Sequence, residues 1–200
     1  MNDQMTHISD ILKQLSKIDH IKAEEIPNID LYMDQVTTFM DSHLEHSKRY
    51  PEDKILTKTM INNYAKNRLL PPPNKKKYSK DHMLLLLFIY YFKNILSIND
   101  IQSLLMPICE KYFGRKEGLN LEEIYEEVFA LEKEQLDLLI RDVEKKYQVA
   151  SGTFTSLPEE EQDAMQSFSF ICMLAFDVYV KKQIIESLID HMNERQDSEN

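Results

Sequence analysis

Glycine is nearly absent from these 200 residues: only Gly114, Gly118 and Gly152 occur. Three scattered glycines cannot form a phosphate-cradling loop, and they disfavour a sheet-rich fold with many tight turns. Cysteine is equally scarce. Cys109 and Cys172 lie in separate apolar segments, form no C-x-x-C pair and have no neighbouring histidine. Both are expected to be buried free thiols in a reducing compartment. No apolar run reaches the roughly 18–20 residues that span a bilayer. The longest, "MLLLLFIYYF" (83–92) and "FSFICMLAFDVYV" (168–180), read as buried core helices. The opening "MNDQMTHISD" lacks a basic region and an apolar core. The expectation is a soluble, cytoplasmic protein with no membrane partner.

Catalytic signatures are also missing: there is no G-x-S-x-G and no H-E-x-x-H. His43 and His46 flank Glu45 at a spacing that could hold half a metal site, but no third ligand is suggested, and a polar helix end is the stronger reading. "EEIYEE" (122–127) clusters carboxylates as di-metal bundles do, yet the Glu-x-x-His partners are absent, so it reads as a solvated face. The Met and aromatic residues of 165–180 could line a ligand pocket, with core packing as the default. No catalytic residue, metal ligand or cofactor is therefore assigned, and the protein is not expected to be an enzyme.

What is present is helix-forming. Apolar residues make up 42%, enough for a core, and Leu, Ile, Met, Lys, Glu and Gln abound. An all-α fold follows. The net charge of −10 is unevenly spread. Between Lys48 and Lys80 ten basic residues face only Glu52 and Asp53, a net of +8, which leaves −18 for the rest. A basic island in an acidic body suits a localised phosphate-contacting surface, or else a solvated lysine-rich loop.

Spacing predicts the elements. Residues 1–25 carry a weak helical pattern (Ile8, Ile11, Leu12, Leu15, Ile18) and read as an N-terminal helical extension. Ile29, Met33, Val36, Phe39, Met40 and Leu44 predict a helix capped by Asn28 or Asp30. Thr57 caps a short helix to about Lys66, with Met60, Ile61 and Tyr64 inward and Lys58, Thr59, Asn62, Asn63 and Lys66 outward. That outer face has no carboxylate, and its amides suit base edges. "LLPPP" ends the helix, and "NKKKYS" forms a turn or ribbon. Ser79 caps a helix over about 80–95 that should be central in the core. Ser97 and Asp100 start another, which ends at Pro107; a short helix follows at 108–113. Asn120 caps one long helix, "LEEIYEEVFALEKEQLDLLIRDVEKKYQ", and "VASGTFT" is a loop. Ser156 and Glu159 open a last helix running to about Met192.

The order of these parts resembles the winged helix-turn-helix domain of the MerR family. Tyr64, Leu69, Leu70, Pro71 and Pro72 match that family's turn after the recognition helix. Lys76 stands where its wing has Arg, and Tyr78 matches its second wing aromatic. Phe88 and Ile89, then Ser97, Ile98, Ile101, Leu104 and Leu105, match the following helices. Asn62 and Arg68 stand where the family has Arg and Gly. The whole chain is similar to an uncharacterised bacterial family of MerR-like proteins of unknown function. The resemblance implies a MerR-like domain over 26–106 and a C-terminal helical domain over 107–200 that serves dimerisation or an effector. It also implies a cytoplasmic transcriptional regulator that binds double-stranded DNA as a homodimer, with a small-molecule or protein effector. The recognition helix would be 57–66 and the basic wing 71–78. DNA contacts would come from Lys58, Thr59, Asn62, Asn63, Lys66, Arg68, Lys75, Lys76, Lys77 and Tyr78. The other reading is a helical protein-interaction module that keeps the fold without binding DNA.

Overall fold

The computed structural model describes residue 8, residues 10–13 and residues 20–199. The chain is mostly helical, in line with its composition. It divides into two compact units. The first takes residues 21–128 with 186–199; the second takes 129–185 with the described residues up to His20. The expected boundary at 106–107 falls inside a helix. Leu15 and Ile18 lie outside the described residues; Leu12 is buried and Ile11 is exposed.

In the first unit a two-residue strand β1, Leu31–Tyr32, leads into α1, Met33–His43. The expected start near Ile29 is corrected: Ile29 is 67% exposed and precedes the helix. Neither Asn28 nor Asp30 caps it. The Gln35 side chain accepts from the Tyr32 N–H at 2.9 Å instead. Residues 44–57 form a connection with a 3-10 turn at Glu45–Ser47. Then comes α2, Lys58–Lys66, whose first turn is capped by Thr57 Oγ1 accepting from Met60 N–H at 3.2 Å. Strand β2, Lys77–Tyr78, pairs antiparallel with β1, Leu31 opposite Tyr78 and Tyr32 opposite Lys77.

Helix α3, Lys80–Phe92, is the axis of this unit. From His82 to Tyr90 nine successive residues are buried, because the stretch is apolar on every side and must be covered on every side. Helix α4, Ile98–Tyr112, starts on the Ser97–Asp100 box, with Ser97 Oγ accepting from Asp100 N–H at 3.2 Å. It does not stop at Pro107. The proline sits inside a continuous helix that simply lacks the hydrogen bond its missing N–H would make. Helix α5, Leu121–Ala130, begins on reciprocal Asn120 and Glu123 bonds of 3.0 and 3.2 Å. Its Tyr125 hydroxyl donates to the Ile21 carbonyl at 2.7 Å, and Glu126 accepts from Ala23 N–H at 2.6 Å. The two ends of residues 21–128 are thereby fastened together.

The single long helix expected from Asn120 is two. The chain breaks at Leu131, and α6, Glu132–Ser151, follows in the second unit, taking in the first three residues of the segment expected as a loop, while 152–155 are non-helical. Helix α7, Glu159–Glu199, is longer than expected and contributes to both units. Within the second unit α6 and α7 pair through Tyr147, edge-on to Phe170 with centroids 5.5 Å apart, and Lys146, 2.7 Å from Asp177. Residues 168–180 are not the buried core helix expected. Only the side facing α6 is covered, and Phe168, Phe176 and Tyr179 are 60%, 64% and 59% exposed. Cys172 is exposed with them and Cys109 is half-buried, so the expectation of two buried thiols fails. Burial and two acidic neighbours push the Cys109 thiol up to about 11. Among the described residues no helix is long and apolar enough to cross a membrane.

Candidate nucleic-acid interface

Helix α2 divides by period. Ile61 and Tyr64 are buried, and burial raises the Tyr64 phenol above its ordinary value. Lys58, Thr59, Asn62, Asn63 and Lys66 are all exposed. The helix is held from beneath by α1, which also packs against β2, so one helix supports both parts of the basic surface. Lys93 fixes the approach to α2. Its ammonium donates to the Ile55 carbonyl at 2.8 Å and lies 5.1 Å from the Tyr90 ring centroid; burial lowers its pKa.

The end of α2 closes in a Schellman arrangement. Leu69 N–H donates to Tyr64 C=O at 2.9 Å and Arg68 N–H to Ala65 C=O at 3.2 Å. That geometry puts Arg68 in the left-handed region at φ 59°. The basic turn that follows is equally tight. Asn74 and Lys77 exchange backbone hydrogen bonds of 3.1 and 2.9 Å, leaving Lys75 and Lys76 as the two central residues, at φ 49° and 64°. Two-residue turns of this primed kind favour Asn-Gly or Gly-Gly, because both central residues need positive φ. Three backbone positions here thus suit glycine, and each holds an exposed cation instead. Left-handed backbone costs an L-residue about 1–2 kcal/mol.

Other charges of the region are engaged. Lys58 pairs with Asp34 of α1, Lys48 with Asp41 at 2.8 Å, and Lys80 with Glu122 at 2.8 Å. The ammonium of Lys77 sits 5.0 Å from the Tyr32 ring centroid across the strand pair. Among the described residues no carboxylate pairs with Lys66, Arg68, Lys75 or Lys76. An open groove of about 550 Å³ beside the start of α2 has mixed charge, with Asp41, Glu52 and Asp53 facing Lys48, Lys54 and Lys58.

Of the ten residues expected at DNA, Tyr78 stands apart. It is 3% exposed, its phenol pKa is raised by burial, and its ring meets His82 edge-on at 5.4 Å. It anchors the turn from inside and offers no outward contact. His82 is itself buried between Tyr78 and Phe113. Its Nδ1 accepts from Ser79 N–H at 3.0 Å, which leaves the proton on Nε2; the Pro72 and Pro71 backbone lies near enough to the ring to favour the protonated form, though short of good hydrogen-bond geometry. Burial holds its pKa below the ordinary imidazole value. His43 stacks on Phe39 with centroids 4.0 Å apart, and among the described residues no three His, Cys, Asp or Glu side chains could together hold a metal ion.

Sequence reasoning missed Tyr32 and Asp34, which occupy Lys77 and Lys58. Both lie far away along the chain, and no local pattern joins them to the basic segment. A family model described as a domain of unknown function, DUF1836, matches residues 21–128, more than half of the chain and the same span as the main segment of the first unit. No curated protein and no solved structure matches the chain.

Proposed function

The chain belongs to the DUF1836 family, and from the geometry of its basic surface we propose that it is a non-catalytic, DNA-binding transcriptional regulator. Helix α2 serves as recognition helix in a MerR-like winged helix-turn-helix, with Asn62 and Asn63 toward base edges. Lys66, Arg68, Lys75 and Lys76 grip the phosphate backbone, the turn acting as the wing. Two copies match a two-fold operator, and the C-terminal helices carry self-association or an effector site. One observation carries the reading. Arg68, Lys75 and Lys76 hold three left-handed positions where glycine would be less strained. Strain retained at an exposed, unpaired cation is accounted for by what the cation touches.

The acidic remainder of the chain and the Lys58–Asp34 pair favour the second reading, a protein-interaction module that no longer binds DNA. Fluorescence anisotropy on mixed-sequence duplex DNA decides between them. Binding should weaken between about 50 and 200 mM salt, and Lys76→Ala should flatten the log–log slope by about one unit on every sequence. Asn62→Ala should instead relax base preference. Absence of binding at low salt selects the interaction module. Uniform loss on Asn62→Ala removes α2 from the groove.

A further inference from the structure

Between Ala164 and Val180 the chain contains one charge, Asp177, and that carboxylate is turned to Lys146 of α6. Every exposed residue of this stretch is apolar, aromatic or Cys172. Met165, Cys172 and Tyr179 recur every seven residues, with Phe168 and Ala175 between them at the same interval. They form a stripe on the side of α7 opposite Phe170, which meets α6. Ile171 and Val178 widen it on one side and Phe176 on the other. Among the described residues the hairpin therefore has one apolar face used and a second left exposed.

We propose that this outer face of α7 is covered by the same face of a second copy of the chain, so that two α6–α7 hairpins close into a four-helix bundle about a two-fold axis. Three observations select this occupant. Met165, Phe168, Ile171, Phe176, Val178 and Tyr179 are 37–64% exposed; together they present on the order of 600–700 Å², close to the roughly 800 Å² that one partner contributes to a stable interface. The face has no charge of either sign, so it complements an uncharged apolar surface, and a face of this kind complements itself. The heptad spacing is that of helices packed side by side in a bundle. This inference rests on the self-association proposed above for the C-terminal helices and does not depend on DNA binding.

Sedimentation of the full chain without DNA tests it, together with the rate at which Ellman's reagent modifies Cys172. Cys109, half-buried with its pKa raised to about 11, serves as the slow internal reference. At micromolar concentration the mass should be about twice 23.7 kDa. Phe176→Glu, at a position 64% exposed, should give a monomer with unchanged helix content. In the wild type Cys172 should react about ten-fold more slowly than in that variant, because a covered thiol is inaccessible. A 23.7 kDa species with a fast Cys172 would overturn the proposal. So would a double mass that survives Phe176→Glu, which puts the contact elsewhere. Protection of Cys172 in a monomer only by phosphatidylcholine vesicles would likewise overturn it and assign the face to lipid.

Discussion

Two stretches of this chain are almost equally apolar, and they end in opposite surroundings. Residues 83–90 of α3 are buried on all sides by the elements of their own unit. Among the described residues, 164–180 of α7 are covered along one side only. Apolar density thus tells how many sides of a helix require a neighbour, and not which chain supplies it. The surroundings differ because α3 follows β2 directly and packs against β2, α4 and α5, whereas the partner that α7 meets in its own unit through Tyr147 and Lys146 is α6.

The contrast can be broken most forcefully by truncation. Leu85→Ala should cost about 2–5 kcal/mol in urea unfolding, as expected for a large side chain removed from a filled core. Phe176→Ala in dilute protein should stay within about 0.5 kcal/mol, as exposed positions do. Equal costs would mean that the two helices are not differently placed. Glycine at the turn sharpens the comparison from the other side. Lys75→Gly with Lys76→Gly should stabilise the unit around α3 by about 1 kcal/mol, by relieving left-handed strain, while flattening the salt slope of DNA binding by about two units. Loss of stability would show that the lysines, and not the turn, hold this corner.

Acid should separate the regions next. His82 is held below 6.5 by burial, so between 6.5 and its folded value the unfolded chain binds a proton that the folded chain refuses. Stability is therefore full above pH 6.5 and falls as pH drops toward the folded value. Hydrogen exchange in α3 should quicken over that window with little change at 165–180, and His82→Asn should remove the difference. Asp34→Ala should have the smallest effect. The pair with Lys58 is exposed, so stability changes by about 0–1 kcal/mol, and the freed lysine should steepen the salt slope by about one unit.

Much of this was legible in the residues because it is set locally. Thr57, Ser97 and Asn120 cap the helices they were expected to cap, and the inward and outward sides of α2 follow from its period alone. The rest depends on distant partners. Nothing in "FALEKEQ" marks the break at Leu131, since every residue there tolerates helix. Pro107 looked like a terminus, yet the helix continues to Tyr112, beyond which Phe113 meets His82 and Gly114 N–H donates to Asp81. Tyr78 belongs to a strand of two residues, too short for alternation to reveal which side is buried. At the basic surface the sequence displayed the cations. The strain at Arg68, Lys75 and Lys76, and the ties to Tyr32 and Asp34, needed the backbone.

The fastening of Ile21 and Ala23 to Tyr125 and Glu126 has a consequence for how such a chain can change over time. A segment whose two ends meet behaves like a bead on a thread: cord enters and leaves at one point, and the bead keeps its shape whatever the cord becomes. Whatever precedes residue 21 and whatever lies between residues 129 and 185 can be lengthened or exchanged without pulling on the basic turn, provided that 186–199, which belong to the same unit, are kept. Recombination junctions placed near residues 21, 128 and 186 would therefore trade the accessory helices and leave the cationic surface intact.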